Sequence, residues 1–191
     1  MGSTTDHSKF KETCVLVLKD AKTGRIEAFR EIGPNIVTNA GDKYYAECAA
    51  GIRGSTVLTP PSRTFNAGMF VVAKSFTVAA TKVATFGRFV GLTTTYSGRQ
   101  LFDSGYPKTA DSDTDNTGRT VDAVTYKRTY TTAQANYTIR AIGICRLNAT
   151  SATSVAGREL LSYKTLSAAQ VVTKTSSQTL TAYINHLFTG V

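Results

Sequence analysis

The sequence predicts a mainly β protein, an antiparallel β-sandwich of jelly-roll-like organisation with one short α-helix. Charged residues make up only 18% of the 191 residues, against roughly 25% in an average soluble domain. Threonine is abundant, and its β-branched side chain packs well on a pleated surface. Apolar and polar side chains alternate in several segments, and turn signals recur at the roughly 8–12-residue spacing of an antiparallel sandwich.

The length of the chain fits one domain. We assign residues 12–191 to a single β-sandwich domain and the polar residues 1–11 to a flexible N-terminal arm. No run of about 18 apolar residues is present, so we expect neither a membrane span nor a membrane partner. The polar start also lacks the apolar core of a signal peptide, so we expect use without secretion.

The first two strands are predicted to form a hairpin. "TCVLVLKD" (13–20) and "RIEAFREI" (25–32) are strand-like runs. The "AKTG" between them supplies a turn in which Gly24 can take a positive φ.

One segment changes to a helical period. "TNAGDKYYAECAAG" (38–51) predicts a helix at about residues 40–50. Thr38 or Asn39 can cap its first turn, and the glycine at its end is a natural stop. The side chains compatible with a buried stripe are Tyr44, Ala46, Cys48 and Ala49.

The middle of the chain reads as loops around two strands. Residues 52–68 contain Pro60-Pro61 and are predicted to be a loop, and residues 69–95 read as strand, turn and strand. A long polar loop is predicted at 96–119.

Two further strands are predicted at 120–132 and 135–148. The second alternates so that one face should pack on a core. Because only the short "TAQA" connects the two runs, we expect them to pair antiparallel.

The last predicted strands are 157–166 and 177–191. The C-terminal run contains no charged side chain and alternates strongly, which predicts a position well inside a sheet or an interface. Its His186 alternates with core residues and is therefore predicted to be a satisfied buried histidine.

The charge distribution predicts a positive surface. The net charge is +9, and no carboxylate lies between Glu47 and Asp103. The wide spacing of the basic residues, with no basic helix, argues against direct nucleic-acid binding and favours docking on an acidic protein surface. The basic residues of this segment are Arg53, Arg63, Lys74, Lys82, Arg88 and Arg99.

The stretch "TADSDTDNTGRT" (109–120) is the one place that resembles a metal site. Asp111, Asp113, Asp115 and Asp122 fall on positions one, three, five and twelve of a calcium-loop template. Asparagine replaces the usual glycine at position six, and no flanking helices are predicted.

Three interpretations of this acidic stretch stay open. It is predicted to be a solvent-exposed turn, with a weak calcium or magnesium site as the alternative. The acidic loop could also pair with the basic 48–102 segment of a neighbouring subunit. We expect no other cofactor.

The sequence contains no constellation of catalytic residues. The cysteines Cys14, Cys48 and Cys145 form no CxxC pair, and only two histidines are present, so a zinc site is not expected. The cysteines are predicted to be small buried hydrophobes, with a disulfide as the alternative. No triad, phosphate loop or paired glutamates stand out. We therefore expect a protein that is not an enzyme.

The order of the segments resembles a known family. "NIVTNAGDKYYAECAAG" is followed by a strand with "FVGL", an aspartate-containing loop and "YKRTYTTAQANYTIRAIGICR". From about Cys14 to Phe188 the chain resembles the small β-sandwich domains of tailed-bacteriophage structural proteins, the tail-fibre-like or tail-appendage proteins.

The resemblance implies a non-enzymatic structural subunit located in the virion and assembled in the host cytoplasm. It implies self-association as a trimer or ring and docking on other virion proteins in the tail, collar, fibre or capsid decoration. Two binding functions remain as alternatives: a glycan-binding receptor-recognition head, for which Tyr96 and Tyr106 are the candidate aromatic residues, or a basic nucleic-acid-associated module.

Overall fold

The computed structural model describes residues 9–50, 52–53, 56–57, 67–73, 81–84, 98–110, 123–146 and 159–189. These residues are mainly β, with antiparallel sheets and one helix, which confirms the mainly β class of the prediction. The helix is α1 (Asn39–Ala50), and the strands are β1 (Lys9–Asp20), β2 (Ile26–Ile32), β3 (Ile36–Val37), β4 (Ile52–Arg53), β5 (Thr56–Val57), β6 (Ala67–Val72), β7 (Arg99–Leu101), β8 (Lys108–Ala110), β9 (Ala123–Tyr130), β10 (Thr138–Ile139), β11 (Ala141–Arg146), β12 (Leu160–Thr165), β13 (Val172–Thr173) and β14 (Gln178–Thr189).

Most of these strands belong to two five-stranded sheets. Sheet 1 has the order β2-β1-β14-β9-β8, and sheet 2 has the order β3-β12-β11-β6-β7. The pairs β4–β5 and β10–β13 form separate two-stranded ladders. The predicted loops were too long at two places, since β4 and β5 lie within 52–68, and β7 and β8 lie within 96–119.

The predicted N-terminal hairpin is confirmed. Strands β1 and β2 pair antiparallel, and Gly24 in the turn between them has a φ of +71°. The Asp20 carboxylate accepts hydrogen bonds from the backbone N–H and the hydroxyl of Thr23, at 2.6 and 2.7 Å. Strand β1 begins at Lys9, so the last residues of the predicted arm belong to a strand, while residues 1–8 lie outside the described part.

The C-terminal strand lies in the centre of sheet 1, as its lack of charge predicted. Strand β14 pairs with β1 along its whole length on one side, and with β9 from Leu180 to Leu187 on the other. Leu180, Ala182, Ile184 and His186 are buried, and the residues between them are half-buried. This alternation gives sheet 1 one inner face and one outer face.

The predicted pairing of 120–132 with 135–148 is wrong. Strand β9 lies in sheet 1, whereas β11 lies in sheet 2 between β12 and β6. The connection turns through Ala135, which has a φ of +54°, and passes through β10 before β11 begins. The short connection therefore carries the chain from one sheet to the other.

Strand β11 is also buried on both of its faces, where one was predicted. Ile142 and Ile144 belong to the main core, while Ala141 and Cys145 belong to a second cluster on the opposite face. The second cluster also contains Phe70, Val72, Ala84, Leu160 and Tyr163. A central strand with apolar cover on both faces does not need polar alternation.

The main core joins the two sheets. Its buried members come from β1, β9 and β14 of sheet 1 and from β6, β11 and β12 of sheet 2. Burial of this apolar surface is the main favourable contribution to the stability of such a fold. The largest fully buried members of the core are Tyr130, Leu16, Ile32, Met69, Ile139, Ile142 and Ile144.

The helix α1 matches its predicted position, but its buried side differs. Thr38 is the cap, since its Oγ1 accepts a hydrogen bond from the Gly41 N–H at 3.0 Å. Tyr44 is buried, whereas Ala46 and Cys48 are exposed, so the predicted stripe was wrong at these two positions. Ala49 lies outside the residues whose side chains are described.

Candidate functional site

The predicted acidic site lies outside the described residues. Asp111, Asp113, Asp115 and Asp122 all fall within residues 111–122, for which the structure gives no description. The calcium site and the acidic interface therefore stay predictions.

The predicted basic segment is described at three of its six positions. Arg53 lies in β4 and Arg99 in β7, while Arg63, Lys74 and Arg88 lie outside the described part. Lys82 forms an ion pair with Asp42 in the first turn of α1. One of the predicted interface cations is thus already paired within the chain.

A buried ion pair is the most distinctive group of titratable residues in the described part. Glu12 and His186 are register partners on β1 and β14, and both point to the inner face of sheet 1. Glu12 Oε2 lies 2.5 Å from His186 Nε2, and each side chain is at most 1% exposed. Glu12 is therefore the counter-ion of His186 whenever the imidazole is protonated.

Asn35 connects this pair to Cys14. The Asn35 amide Nδ2 donates to Glu12 Oε1, and the Asn35 backbone N–H donates to the Glu12 carbonyl at 3.2 Å. The Cys14 thiol donates to Asn35 Oδ1 at 3.1 Å. Burial, followed by the nearby Glu12 carboxylate, raises the pKa of the Cys14 thiol well above its ordinary value, so the thiol is protonated and is a poor nucleophile.

Two tyrosine rings enclose the imidazole. The rings of Tyr45 and Tyr126 lie 5.0 and 4.7 Å from the His186 ring, centroid to centroid. Tyr45 comes from α1 and Tyr126 from β9, so the histidine joins the helix to sheet 1. Burial raises the pKa of both phenols well above the ordinary value.

The burial of this group of side chains fits a structural role for them and not a catalytic one. A carboxylate, an imidazole and a thiol lie together, but Glu12, Cys14 and His186 are at most 1% exposed, so a substrate has no access to them. A catalytic base must come within hydrogen-bond reach of the group it deprotonates. The prediction of a buried histidine is confirmed, and Glu12 is its partner.

Glu12 was not predicted as the partner of His186. A signal was present in the sequence, because Glu12, Cys14, Leu16 and Leu18 occupy every second position and line the inner face of β1. This signal was overlooked because the first strand was predicted to begin at Thr13, one residue after Glu12.

The outer face of sheet 1 contains a row of four register partners. Glu31 pairs with Val15, Val15 with Tyr183, and Tyr183 with Lys127, so the row crosses β2, β1, β14 and β9. We call these four residues the cross-sheet row. It has a carboxylate at one end, an ammonium at the other, and an apolar and an aromatic side chain between them.

Lys127, at the basic end of the row, contacts two aromatic rings and a carboxylate of the same chain. The Lys127 ammonium lies 5.5 Å from the Tyr106 ring and 5.9 Å from the Tyr183 ring, distances at which a cation is attracted to a π face. The Asp103 carboxylate is 3.9 Å from this ammonium and also accepts hydrogen bonds from Thr129 N and Oγ1, at 3.0 and 2.8 Å.

The acidic end of the row is open. Glu31 is exposed, and among the described residues it has no ion-pair partner. On the same strand and face, the side chains of Phe29 and Ile26 are 50% and 57% exposed. These two residues are half of the large exposed hydrophobic residues in the described part of the chain.

The described residues hold no group of three or more histidine, cysteine, aspartate or glutamate side chains placed to bind a metal ion. The only helix in this part, α1, has 12 residues and falls short of a membrane span. None of the three cysteines, all of which lie in the described part of the chain, forms a disulfide. Cys14 and Cys145 are buried as predicted, and Cys48 is exposed, against prediction.

Comparison with known proteins gives no relative: no family model, curated protein or solved structure matches this chain.

Proposed function

We propose that this chain is a non-enzymatic structural subunit of a tailed-phage virion. It self-associates and docks on neighbouring virion proteins, as a tail, collar or fibre-associated component or as a capsid decoration. The virion assignment rests on the resemblance described in the sequence analysis. The structural role rests on the described residues.

One observation carries the structural role. Three side chains of the core could in principle take part in chemistry: Glu12, Cys14 and His186. They lie inside the core, where they join β1, β14 and α1. The outer face of sheet 1, in contrast, presents threonine, valine and aromatic side chains on β2, β1, β14 and β9, with Glu31 and Lys127 at its two sides. A protein that places these groups in the core and valine and aromatic side chains on an outer sheet face is suited to contact between proteins.

The charge of the chain supports docking on an acidic neighbour. The net charge is +9, and complementary fields guide and orient protein association. A partner surface rich in aspartate and glutamate fits this balance.

A second candidate function is a binding module for an acidic ligand such as a glycan. The observation that favours it is the position of Tyr106, with the ammonium groups of Lys108 and Lys127 at 5.1 and 5.5 Å from its ring. Aromatic and cationic groups together can contact a sugar ring and its negative charge. Binding of sulfated or sialylated glycans that is lost in Tyr106→Ala would favour this candidate.

The virion role is tested by analysing particles purified from cells infected with the phage that encodes the chain. Quantitative mass spectrometry should find the chain in particles at a fixed ratio to the major capsid protein through successive gradient and wash steps. A replication protein of the same phage is the control and should be depleted. Depletion of this chain together with that control would contradict the proposal.

A further inference from the structure

We infer that the outer face of sheet 1 is a two-fold homodimer interface, in which Glu31 of each copy pairs with Lys127 of the other. This inference rests on the self-association part of the proposed function and is independent of the virion role.

The cross-sheet row is self-complementary. Its order is acidic, apolar, aromatic and basic, from Glu31 through Val15 and Tyr183 to Lys127. An isologous contact requires a surface patch that complements itself after a two-fold rotation. A row with opposite charges at equal distances from its centre meets this requirement.

The position of the two-fold axis follows from the register. We place the axis parallel to the strands and between β1 and β14, so that the second copy lies face to face with the first. Rotation about this axis exchanges β2 with β9 and β1 with β14. Glu31 then faces Lys127 of the second copy, and Val15 faces Tyr183, with each contact occurring twice.

The neighbouring row fits the same axis. Phe29, Val17, Thr181 and Thr129 are register partners across the same four strands. Rotation sets the exposed Phe29 ring over Thr129 of the second copy, and Val17 over Thr181. The rotation therefore also covers the exposed apolar group of β2.

The size of the face agrees with a dimer interface. The four strands that the rotation exchanges, at about 4.8 Å spacing and about eight residues of length, give a patch on the order of 500 Å² on each copy, or about 1,000 Å² in total. A specific interface buries at least about 1,000 Å² in total, so the face reaches the lower end of this range. If the two outer faces stack as the sheets of a sandwich do, they lie about 10 Å apart. The mean strand directions of the two copies then differ by about 30°.

A second copy fits this face better than a strongly acidic partner does. The ends of the row have opposite charges, so a uniformly acidic surface would meet Glu31 with repulsion. Such a surface remains a fitting partner for other parts of this basic chain. The two-fold contact closes on itself, so the expected trimer or ring would need a second, different interface.

The test is a charge exchange at the two ends of the row. Glu31→Lys places two lysines opposite each other, and Lys127→Glu places two glutamates opposite each other. The double variant E31K/K127E restores opposite charges. We expect each single variant to raise the dimer dissociation constant about tenfold or more, because both symmetry-related pairs are reversed. The double variant should return to within about threefold of the wild type.

Restoration in the double variant reports on contact between two copies. Within one chain, Glu31 and Lys127 are three strand spacings apart, about 14 Å. This exceeds the screening length of about 8 Å at physiological ionic strength. Lys22→Glu is the matched control for Lys127→Glu. It makes the same charge change in the exposed β1–β2 turn and should leave the dimer dissociation constant unchanged.

Sedimentation equilibrium measures the dissociation constant, and circular dichroism checks that each variant is folded. Should Lys127→Glu unfold the chain through repulsion with Asp103, Lys127→Gln takes its place. Glu31→Lys should then weaken the dimer less in that background than in the wild type. A wild type that associates while both single variants associate equally well would overturn this interface and leave self-association standing. A monomeric wild type would overturn both.

Discussion

Glu12 and His186 face each other across β1 and β14, with 2.5 Å between Glu12 Oε2 and His186 Nε2. The pair joins a strand near the start of the chain to the strand near its end. Asn35 and the rings of Tyr45 and Tyr126 surround it. Polar groups buried this deeply are stable only when they are paired.

Removing one partner of this pair should destabilise the fold strongly. His186→Ala leaves the Glu12 carboxylate buried without its counter-ion, and Glu12→Ala leaves the imidazole in the same position. We expect each change to lower the free energy of unfolding by about 3–5 kcal/mol. Urea unfolding measures the effect. Glu47→Ala is the control, because Glu47 pairs with the exposed Lys43 on the same helix, and the change should cost at most about 0.5 kcal/mol. Equal costs for all three variants would contradict a structural role of the pair.

The stability of the fold should decrease in alkaline solution. Burial raises the pKa values of Cys14, Tyr45, Tyr126 and Tyr130 above their ordinary values of 9.0 for the thiol and 10.0 for the phenols. The unfolded chain therefore releases these protons at a lower pH than the folded chain does. Their contribution is complete below about pH 9 and is lost as the pH rises toward the folded values. Burial lowers the pKa of Lys174, which acts in the opposite direction but is one group against four.

Urea unfolding between pH 7 and pH 11 checks this prediction. Tyr126→Phe removes one of the four groups and should reduce the slope of stability against pH above pH 10. A stability that stays constant up to pH 11 would show that these groups ionise equally in the folded and unfolded states.

The three cysteines should differ in reactivity. Cys48 on α1 is exposed, whereas Cys14 and Cys145 are buried. In the native protein, iodoacetamide should modify one thiol per chain, and in denaturant it should modify all three, because reaction needs an accessible thiolate. Intact mass spectrometry counts the modified thiols. The Cys48→Ser variant should show none in the native state, and a modified Cys14 in that variant would contradict the described burial.

Gly41→Ala should destabilise the protein although alanine is the better helix former. A Cβ atom at Gly41 would lie 2.0 Å from the Leu161 carbonyl oxygen on β12, so α1 would have to move away from sheet 2. An exposed helical position behaves in the opposite way, and Ala46→Gly should cost only about 1 kcal/mol. Thermal unfolding compares the two variants. A Gly41→Ala variant as stable as the wild type would contradict the close contact between α1 and β12.

Local patterns were sufficient to predict several elements. The alternation of Leu180, Ala182 and Ile184 predicted β14 and its central position, because a strand with one buried face leaves a period of two in the sequence. The cap at Thr38 and the turn at Gly24 were also predicted, since each depends on the chemistry of one residue.

The pairing of strands depended on distant contacts. The short connection between β9 and β11 fits a hairpin as well as a crossing between sheets. The choice is set by Phe70 and Tyr163, which cover the second face of β11 from far away in the sequence. For the same reason the partner of His186 could not be predicted without the register of β1 and β14, nor could the cross-sheet row.

The most direct test of self-association through sheet 1 is the native mass of the wild-type chain, measured by sedimentation equilibrium as the protein concentration is raised through the micromolar range. A chain of 20.5 kDa that pairs through this face should reach twice that mass, and Glu31→Lys should shift the transition to higher concentration. A mass that stays at one chain throughout the range would contradict the account.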